Sequence, residues 1–341
     1  MKIALVASPV TPLRPAQVGG AQAFVSDLAV GLAARGHNVT LHCVEGSEVS
    51  GVALAMVPTP SDAAAALVMP QGKDPPPAPG VAAALEAMFS SIGGDVDSIS
   101  QHAFDAPAFV LGRGRPVLHT LHLPPIVASV VEAARRVPPA RLAAVSHASA
   151  RSWAGAGVEV GEILANGVPD YPASSAPVEH IALVAGRISP EKGIEHAVAA
   201  AQTSGVPVRV AGAHYDPSYA PDLSGVELLG SLPRNELRRV MAASAVTICA
   251  VRWDEPFGMV AAEAQMAGCP VAAYRRGAMP EVIEDGVSGC LAEPDDLASL
   301  ARAIHKCLEL DRKAVRASAL RRLTLGAAID RYETALVRAA R

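Results

Sequence analysis

The 341-residue sequence predicts an α/β protein built from two Rossmann-like domains, and three observations carry that expectation. The chain opens with an apolar run, a helical pattern and a second apolar run, the order of a βαβ unit. A second series of apolar runs, each followed by a loop and a helical pattern, begins at Ile181. The length also suits two domains of ordinary size rather than one.

In the first half, Lys2 to Ser8 reads as a buried strand. The loop from Pro9 to Gly20 follows, and Ala21 to Arg35 carries Phe24, Leu28 and Leu32 at helical spacing before Gly36 caps its end. Asn38 to Val44 is the second strand. The pair Gly19-Gly20 stands alone, without the GxGxxG of dinucleotide binders. It reads either as a tight turn or as a place where backbone approaches a ligand. Residues 58 to 80, rich in Pro and Ala, read as an irregular surface excursion, and Val81 to Phe89 as a helix. Pro107 to Leu111 and Arg115 to His119 flank a turn between helix and strand. The strand from Pro116 ends in His119 and His122, where Pro124-Pro125 blocks its continuation. Either histidine reads, on its own, as a hydrogen-bonded core residue. Arg141 to Val145 is a further strand, and Ser146 is placed to cap the helix after it. Asn166-Gly167-Val168-Pro169 is a strong turn, so the domain boundary is expected near residue 170.

In the second half, the strand Ile181 to Ala185 runs into Gly186-Arg187-Ile188-Ser189-Pro190-Glu191-Lys192-Gly193. Arg187 and Lys192 thus share one loop between a strand end and a helix, a position where two cations suit a diphosphate. The plain alternative is a solvated loop with incidental charges. Strands are expected at Val206 to Ala211 and Val226 to Pro233, then a helix from Arg234 to Ala243. The apolar run Ala245 to Val251 leads through Trp253-Asp254-Glu255-Pro256-Phe257-Gly258 into a helix that begins at Met259 and carries Glu263. The first amides of that helix face any anion placed there. Two carboxylates eight positions apart, about 12 Å along a helix, can grip two ends of one polyhydroxy ligand. A strand at Gly268 to Ala273 follows, and residues 297 to 309 and 314 to 341 read as helices.

The segment Glu255-Pro-Phe-Gly-Met-Val-Ala-Ala-Glu263-Ala resembles the signature of retaining GT-B glycosyltransferases of the family-4 type. Gly186-Arg187 with Pro190-Glu191-Lys192-Gly193, the Asn-Gly-Val-Pro hinge, the strand before Ser146 and the turn Asp285 to Leu291, which is similar to a family hairpin, extend the likeness. It is dense over residues 181 to 300 and sparse over the first 115. Further, the chain resembles glycosyltransferases of oligosaccharide antibiotic pathways such as avilamycin.

The resemblance implies two Rossmann-like domains facing each other across a cleft. Residues 1–169 would bind the acceptor, 170–325 the nucleotide sugar, and 326–341 would form a helix crossing back to the first domain. It assigns Arg187 and Lys192, with amides near Met259 and Val260, to the leaving diphosphate. Glu263 would take the ribose, the backbone near Ser231 and Leu232 the base, and Glu255 with Phe257 and Gly258 the donor sugar. His122 would contact that sugar, His119 staying in the core, and Gly19-Gly20 would approach the ligand. The implied reaction moves a hexosyl or pentosyl unit from a UDP-sugar, in preference to a GDP-sugar, to a small soluble or oligosaccharide acceptor such as a secondary metabolite. It needs no cofactor and no metal. A nucleotide-sugar 2-epimerase and a non-catalytic sugar-nucleotide binder remain alternatives, while the missing glycine fingerprint disfavours a dehydrogenase.

Composition narrows the partners. Half the residues are apolar and only 4% aromatic, so the core must be built from Ala, Val and Leu. A net charge of -4 gives no electrostatic footprint for nucleic acid. No apolar run is long enough to span a membrane, and the opening Met-Lys-Ile-Ala-Leu-Val-Ala meets Pro9 before a signal-peptide core can form. Five widely spaced cysteines without a CxxC read as reduced core residues, so a cytoplasmic protein is expected. The sequence leaves the oligomeric state open.

Overall fold

Parallel strands joined by right-handed crossovers must be buried on both faces, and the sequence supplies short Val, Ala and Leu runs for that purpose. The computed structural model describes residues 1–14, 19–67, 74–172, 177–214, 216 and 218–341. Part of the loop at 9–20 and part of the excursion at 58–80 therefore lie outside the described residues. The chain divides into two compact units. The first comprises Met1–Pro15, Ala21–Ala165 and Gly326–Arg341, and the second Ala16–Gly20 and Asn166–Leu325.

The first unit contains β1 (Lys2–Val6), α1 (Gly20–Ala34), β2 (Asn38–Val44), β3 (Ala53–Val57), α2 (Ala63–Ala66), α3 (Pro79–Ser91) and β4 (Ser98–Gln101). It continues with α4 (Ala106–Leu111), β5 (Val117–Leu121), α5 (Ala128–Ala134), β6 (Leu142–Ala144), α6 (His147–Gly155) and β7 (Glu162–Ile163). The strands form one parallel sheet in the order β3-β2-β1-β4-β5-β6-β7. The order reverses between β1 and β4, so the loops leaving those strands diverge to either side. Ser146 caps α6 as expected, its hydroxyl accepting the Ser149 amide at 2.9 Å. Within the excursion, Asp62 accepts the amides of Gly80 (2.8 Å) and Val81 (3.1 Å), which caps α3 from a distance.

Three strands of the first unit were not expected from the pattern: β3, β4 and the two-residue β7. β3 is a partly exposed edge strand formed by the short apolar run Ala-Leu-Ala-Met-Val. β4, Ser-Ile-Ser-Gln, is fully buried yet mostly polar, and its side chains bond residues outside the strand, Ser100 to His102 and Gln101 to His119, instead of forming a hydrophobic stripe.

The second unit contains β8 (Glu179–Ala185), α7 (Ile194–Thr203), β9 (Val208–Ala211), β10 (Glu227–Gly230), α8 (Arg234–Ala243), β11 (Ser244–Cys249) and α9 (Met259–Met266). After these come β12 (Val271–Tyr274), α10 (Met279–Val282), β13 (Gly289–Ala292), α11 (Leu297–Leu308) and α12 (Arg312–Arg322). Its parallel sheet has the order β10-β9-β8-β11-β12-β13, reversing between β8 and β11. The segment similar to a hairpin is instead a tight turn that feeds β13, which pairs with β12 in parallel. All five cysteines are buried and unbridged.

The last helix, α13 (Leu325–Ala339), clusters from Gly326 with the first unit. The helix expected over residues 314 to 341 is broken at Leu323 and Thr324. There the backbone leaves the helical ladder: the Val168 amide donates to Leu323 O and the Leu325 amide to Val168 O, each at 2.8 Å. Gly167 is required at this crossing, because a Cβ on it would lie 2.4 Å from Thr324 O.

No helix among the described residues is long and apolar enough to cross a membrane.

Candidate functional site

Because β8 and β11 are neighbours, the loops that leave them run side by side, at the place where the sheet order reverses. The first is Gly186 to Gly193 and the second Ala250 to Gly258. They are stitched together by the Arg252 amide, which donates to Glu191 O at 2.9 Å. Gly193 adopts φ 61°, and a Cβ there would sit 2.0 Å from Ala250 O, so the two loops close only over glycine.

This packing gathers residues far apart in sequence. Lys192 Nζ donates to Glu255 Oε2 at 2.7 Å, and the Trp253 indole Nε1 donates to the same oxygen at 2.7 Å. Lys192 Nζ also lies 5.0 Å from the centroid of the Trp253 ring. Arg187 Nη2 donates to Glu191 Oε1 at 3.1 Å, and Ser189 Oγ donates to that same oxygen at 2.7 Å. Both cations are therefore already neutralised by a carboxylate that a neighbouring hydroxyl or indole steadies. The side chains are mostly buried, 21% and 12% exposed for Lys192 and Glu255 and 18% and 11% for Arg187 and Glu191, so the pairs sit where charge interactions are stronger than in water.

Beside them α9 begins. Gly258 precedes it with φ 94°, and no side chain caps its first turn, so the amides from Met259 onward point along the helix axis toward the loops. Phe257 and Met259 are buried, Val260 partly so. One helical stretch further on, Glu263 is buried and accepts from Arg234 Nε at 2.7 Å through Oε1. Tyr171 donates its hydroxyl to the Glu263 backbone carbonyl at 2.8 Å, and Arg238 stacks 4.2 Å from the Tyr171 ring centroid. Arg234 is the first residue of α8, and the loop before it carries Ser231, exposed, and Leu232, half-buried. The structure thus brings Arg187, Lys192, Glu255, Phe257, Gly258, Met259, Val260 and Glu263 into one region of the second unit, with Ser231 and Leu232 ahead of Arg234. Sequence reasoning missed Trp253, Glu191 and Arg234. Their signal was one of position: each flanks a residue that was already named.

Gly20 opens α1 with Gly19 just before it, clusters with the second unit and packs against Met259, where a Cβ on Gly20 would lie 2.7 Å from Met259 Cγ. In the first unit His119 is a core residue, its Nδ1 2.9 Å from Gln101 Oε1 and its ring stacked 5.0 Å from Phe109. His122 follows β5 and is 8% exposed; its Nε2 lies 2.8 Å from His102 Nδ1, and His102 Nε2 lies 2.8 Å from Ser100 Oγ. Burial pushes the His122 pKa down to about 4 and that of His102 well below the usual imidazole range, so both rings are neutral. His102, the first residue after a polar strand, had no pattern to reveal it. Nearby Asp105 is pushed up to about 6 by burial and by Asp62. Among the described residues no group of three His, Cys, Asp or Glu side chains is placed to hold a metal ion.

Comparison with known proteins agrees with this architecture. Residues 18–170 match the model described as Glycosyltransferase Family 4, and residues 173–322 match Glycosyl transferases group 1. A D-inositol 3-phosphate glycosyltransferase of Mycolicibacterium smegmatis is 34% identical over 154 residues, 41% of this chain and 36% of the relative. One from Corynebacterium kroppenstedtii is 38% identical over 89 residues, 26% of this chain and 20% of the relative. The chain thus spans at most about a third of the length of these relatives. Among solved structures, AviGT4, a glycosyltransferase involved in avilamycin A biosynthesis, shares the fold with TM-score 0.72 at 22% identity, covering 99% of this chain and 98% of that one. Anabaena HepE, solved with UDP-glucose, has TM-score 0.75 at 20% identity, covering 99% and 100%. Two parallel sheets, each reversing its strand order, and two family models that between them run from residue 18 to residue 322 with a gap of only two residues lead to one conclusion: the chain belongs to the GT-B glycosyltransferases of the group 1 and family 4 type.

Proposed function

We propose that the chain transfers a sugar from a UDP-sugar to a small acceptor with retention of configuration. The observation that carries the proposal is the paired-cation loop, Arg187 with Glu191 and Lys192 with Glu255, set against the start of α9. A diphosphate carries more charge than the helix amides alone can balance, and two cations beside them make up the difference. On binding, Lys192 and Arg187 would share their donors between carboxylate and phosphate. Glu255, held by Trp253, would keep an oxygen for a sugar hydroxyl, and Glu263 with Arg234 would take the ribose. His122 of the first unit is the remaining sugar-binding group in this reading.

As the bond from the anomeric carbon to the diphosphate breaks, charge grows on the departing phosphate oxygen. Donors already oriented toward it lower the barrier without reorganising at that moment, and no resident metal or cofactor is invoked. The acceptor hydroxyl attacks from the face that the diphosphate leaves, and its proton passes to the departing oxygen. The fold shared with a UDP-glucose-bound neighbour and with an avilamycin-pathway enzyme supports a UDP donor and a secondary-metabolite or oligosaccharide acceptor. A cytoplasmic enzyme working on a soluble acceptor completes the proposal.

The test is a thermal-shift and calorimetric screen of UDP, GDP and their sugars, followed by detection of UDP release and glycosylated product with candidate acceptors. UDP is expected to bind more tightly than GDP, and an epimerised donor without product, or no nucleotide binding at all, would overturn the reading.

A further inference from the structure

The first unit buries a chain of three polar residues that no pattern in the sequence announces. Ser100, at the end of β4, is fully buried, and among the described residues its hydroxyl has one hydrogen-bond partner, His102 Nε2 at 2.8 Å. His102 is 5% exposed, and its other ring nitrogen, Nδ1, lies 2.8 Å from His122 Nε2. The Tyr332 ring of α13 stacks on His102 at 6.0 Å and 29°, and Phe24 of α1 packs 6.2 Å from His122, so neither imidazole can turn freely. Among the described residues His122 Nδ1 has no partner.

Two neutral imidazoles in contact hold one N–H each, and the proton between them can belong to either ring. If His122 donated from Nε2, His102 would accept at Nδ1 and donate from Nε2 to Ser100, leaving the buried Ser100 proton without an acceptor. If Ser100 donates to His102 Nε2, His102 donates from Nδ1 to His122 Nε2, and the one proton left without a partner is His122 Nδ1–H, on the most exposed residue of the three. An unpaired donor costs most where no water or ligand can reach it, as at the fully buried Ser100, so the second arrangement wins.

We propose that Ser100 and His102 are positioning residues that hold His122 as its Nδ1–H tautomer, presenting a hydrogen-bond donor, not a base, to a hydroxyl oxygen of the donor sugar. The sugar-facing part of this inference rests on the role of His122 proposed above; the tautomer does not. β4 and β5 are adjacent parallel strands, so residues just past their ends stand next to each other, and the sheet itself sets the ring-to-ring contact. The polar character of β4 then has a purpose: its end supplies the hydroxyl that starts the chain.

The experiment is long-range proton–nitrogen correlation NMR of the ¹⁵N-histidine-labelled chain, with His122→Asn used to assign the His122 signals. His122 is expected with a protonated Nδ1 and a hydrogen-bonded, unprotonated Nε2, and His102 likewise. A protonated Nε2 on His122 overturns the proposal. Ser100→Ala should move the His102 Nε2 resonance toward that of a free imidazole; no movement also overturns it. The affinities of UDP and of UDP-glucose, UDP-galactose and UDP-N-acetylglucosamine are then measured on His102→Asn, whose amide can still donate, and on His102→Leu, which cannot. His102→Leu should bind the best sugar nucleotide about tenfold more weakly, with UDP affinity unchanged and His102→Asn restoring most of the loss. Equal behaviour of the two folded variants would reduce His102 to packing. If wild-type chain binds no UDP compound, the proposed function fails while the tautomer result stands.

Discussion

Lys192 Nζ and Glu255 Oε2 are 2.7 Å apart although 63 positions separate them, and the oxygen that joins them is also held by the Trp253 indole. The cation is stored, in its half-buried place, by the acid beside which it would meet phosphate. Lys192→Ala removes one charge-assisted donor, a loss of about 1.5–3 kcal/mol, so UDP should bind roughly 10- to 100-fold more weakly by calorimetry. The same change strips Glu255 of its partner. Lys192→Ala and Glu255→Ala should therefore be non-additive in a denaturation cycle. Unchanged UDP affinity in folded Lys192→Ala would remove that residue from the site.

Glu263 and Arg234 offer a prediction with a different readout. Their 2.7 Å pair fixes a carboxylate on α9, one helical stretch from the proposed diphosphate position. If Glu263 takes the ribose hydroxyls, wild-type chain should prefer UDP to 2′,3′-dideoxy-UDP by at least about tenfold, the equivalent of one charged hydrogen bond. In Glu263→Ala the two ligands should bind alike. A preference that survives the substitution would place the ribose elsewhere.

Trp253 makes the loop visible. The chain has two tryptophans, and Trp153 is fully buried with its indole donating to Leu123 O at 3.0 Å. Trp253 is half-buried between Lys192 and Glu255. Titrating UDP should change the emission of wild-type chain and leave Trp253→Phe silent. Phe also lacks the indole donor, so that variant should lose affinity for the sugar nucleotide more than for UDP. A signal that persists in Trp253→Phe would assign it to Trp153.

The second unit was the more legible half for a physical reason. Its strands are continuous apolar runs and its loops carry charge and glycine at the strand ends, so period and punctuation both speak; α8 was expected at the residues where it forms, Arg234 to Ala243. What the pattern could not supply was which loops meet. Adjacency of β8 and β11 pairs Lys192 with Glu255, and no local feature of either segment encodes that neighbour. In the first unit the apolar criterion failed at β4, because Ser98, Ser100 and Gln101 are buried through hydrogen bonds and aromatic packing instead of through apolar surface. His102 was lost with it. The helix break at Leu323 was also invisible, since a single Thr is too weak a breaker to mark it and the interruption coincides with the backbone bonds to Val168 of the hinge.

The buried histidines of the first unit lead to a pH prediction. Burial lowers His42 and His122 to about 4 and His119 to about 3, and puts His102 well below its ordinary value. An unfolded histidine takes its proton near 6.5, so between that pH and the folded values the unfolded chain binds more protons than the folded one. These groups thus leave stability intact above about pH 6.5 and withdraw it as pH falls toward 4, each by up to about 1.4 kcal/mol per pH unit. Asp105 acts in the opposite sense, since a carboxyl raised to about 6 is protonated earlier in the folded state, but one such group faces four histidines. The urea midpoint of the full chain should be nearly flat from pH 8 to 7 and drop steeply between pH 6 and 5. His119→Gln, which can keep a hydrogen bond to Gln101 without titrating, should flatten that drop. A midpoint that rises on acidification would show that the imidazoles are not the groups controlling it.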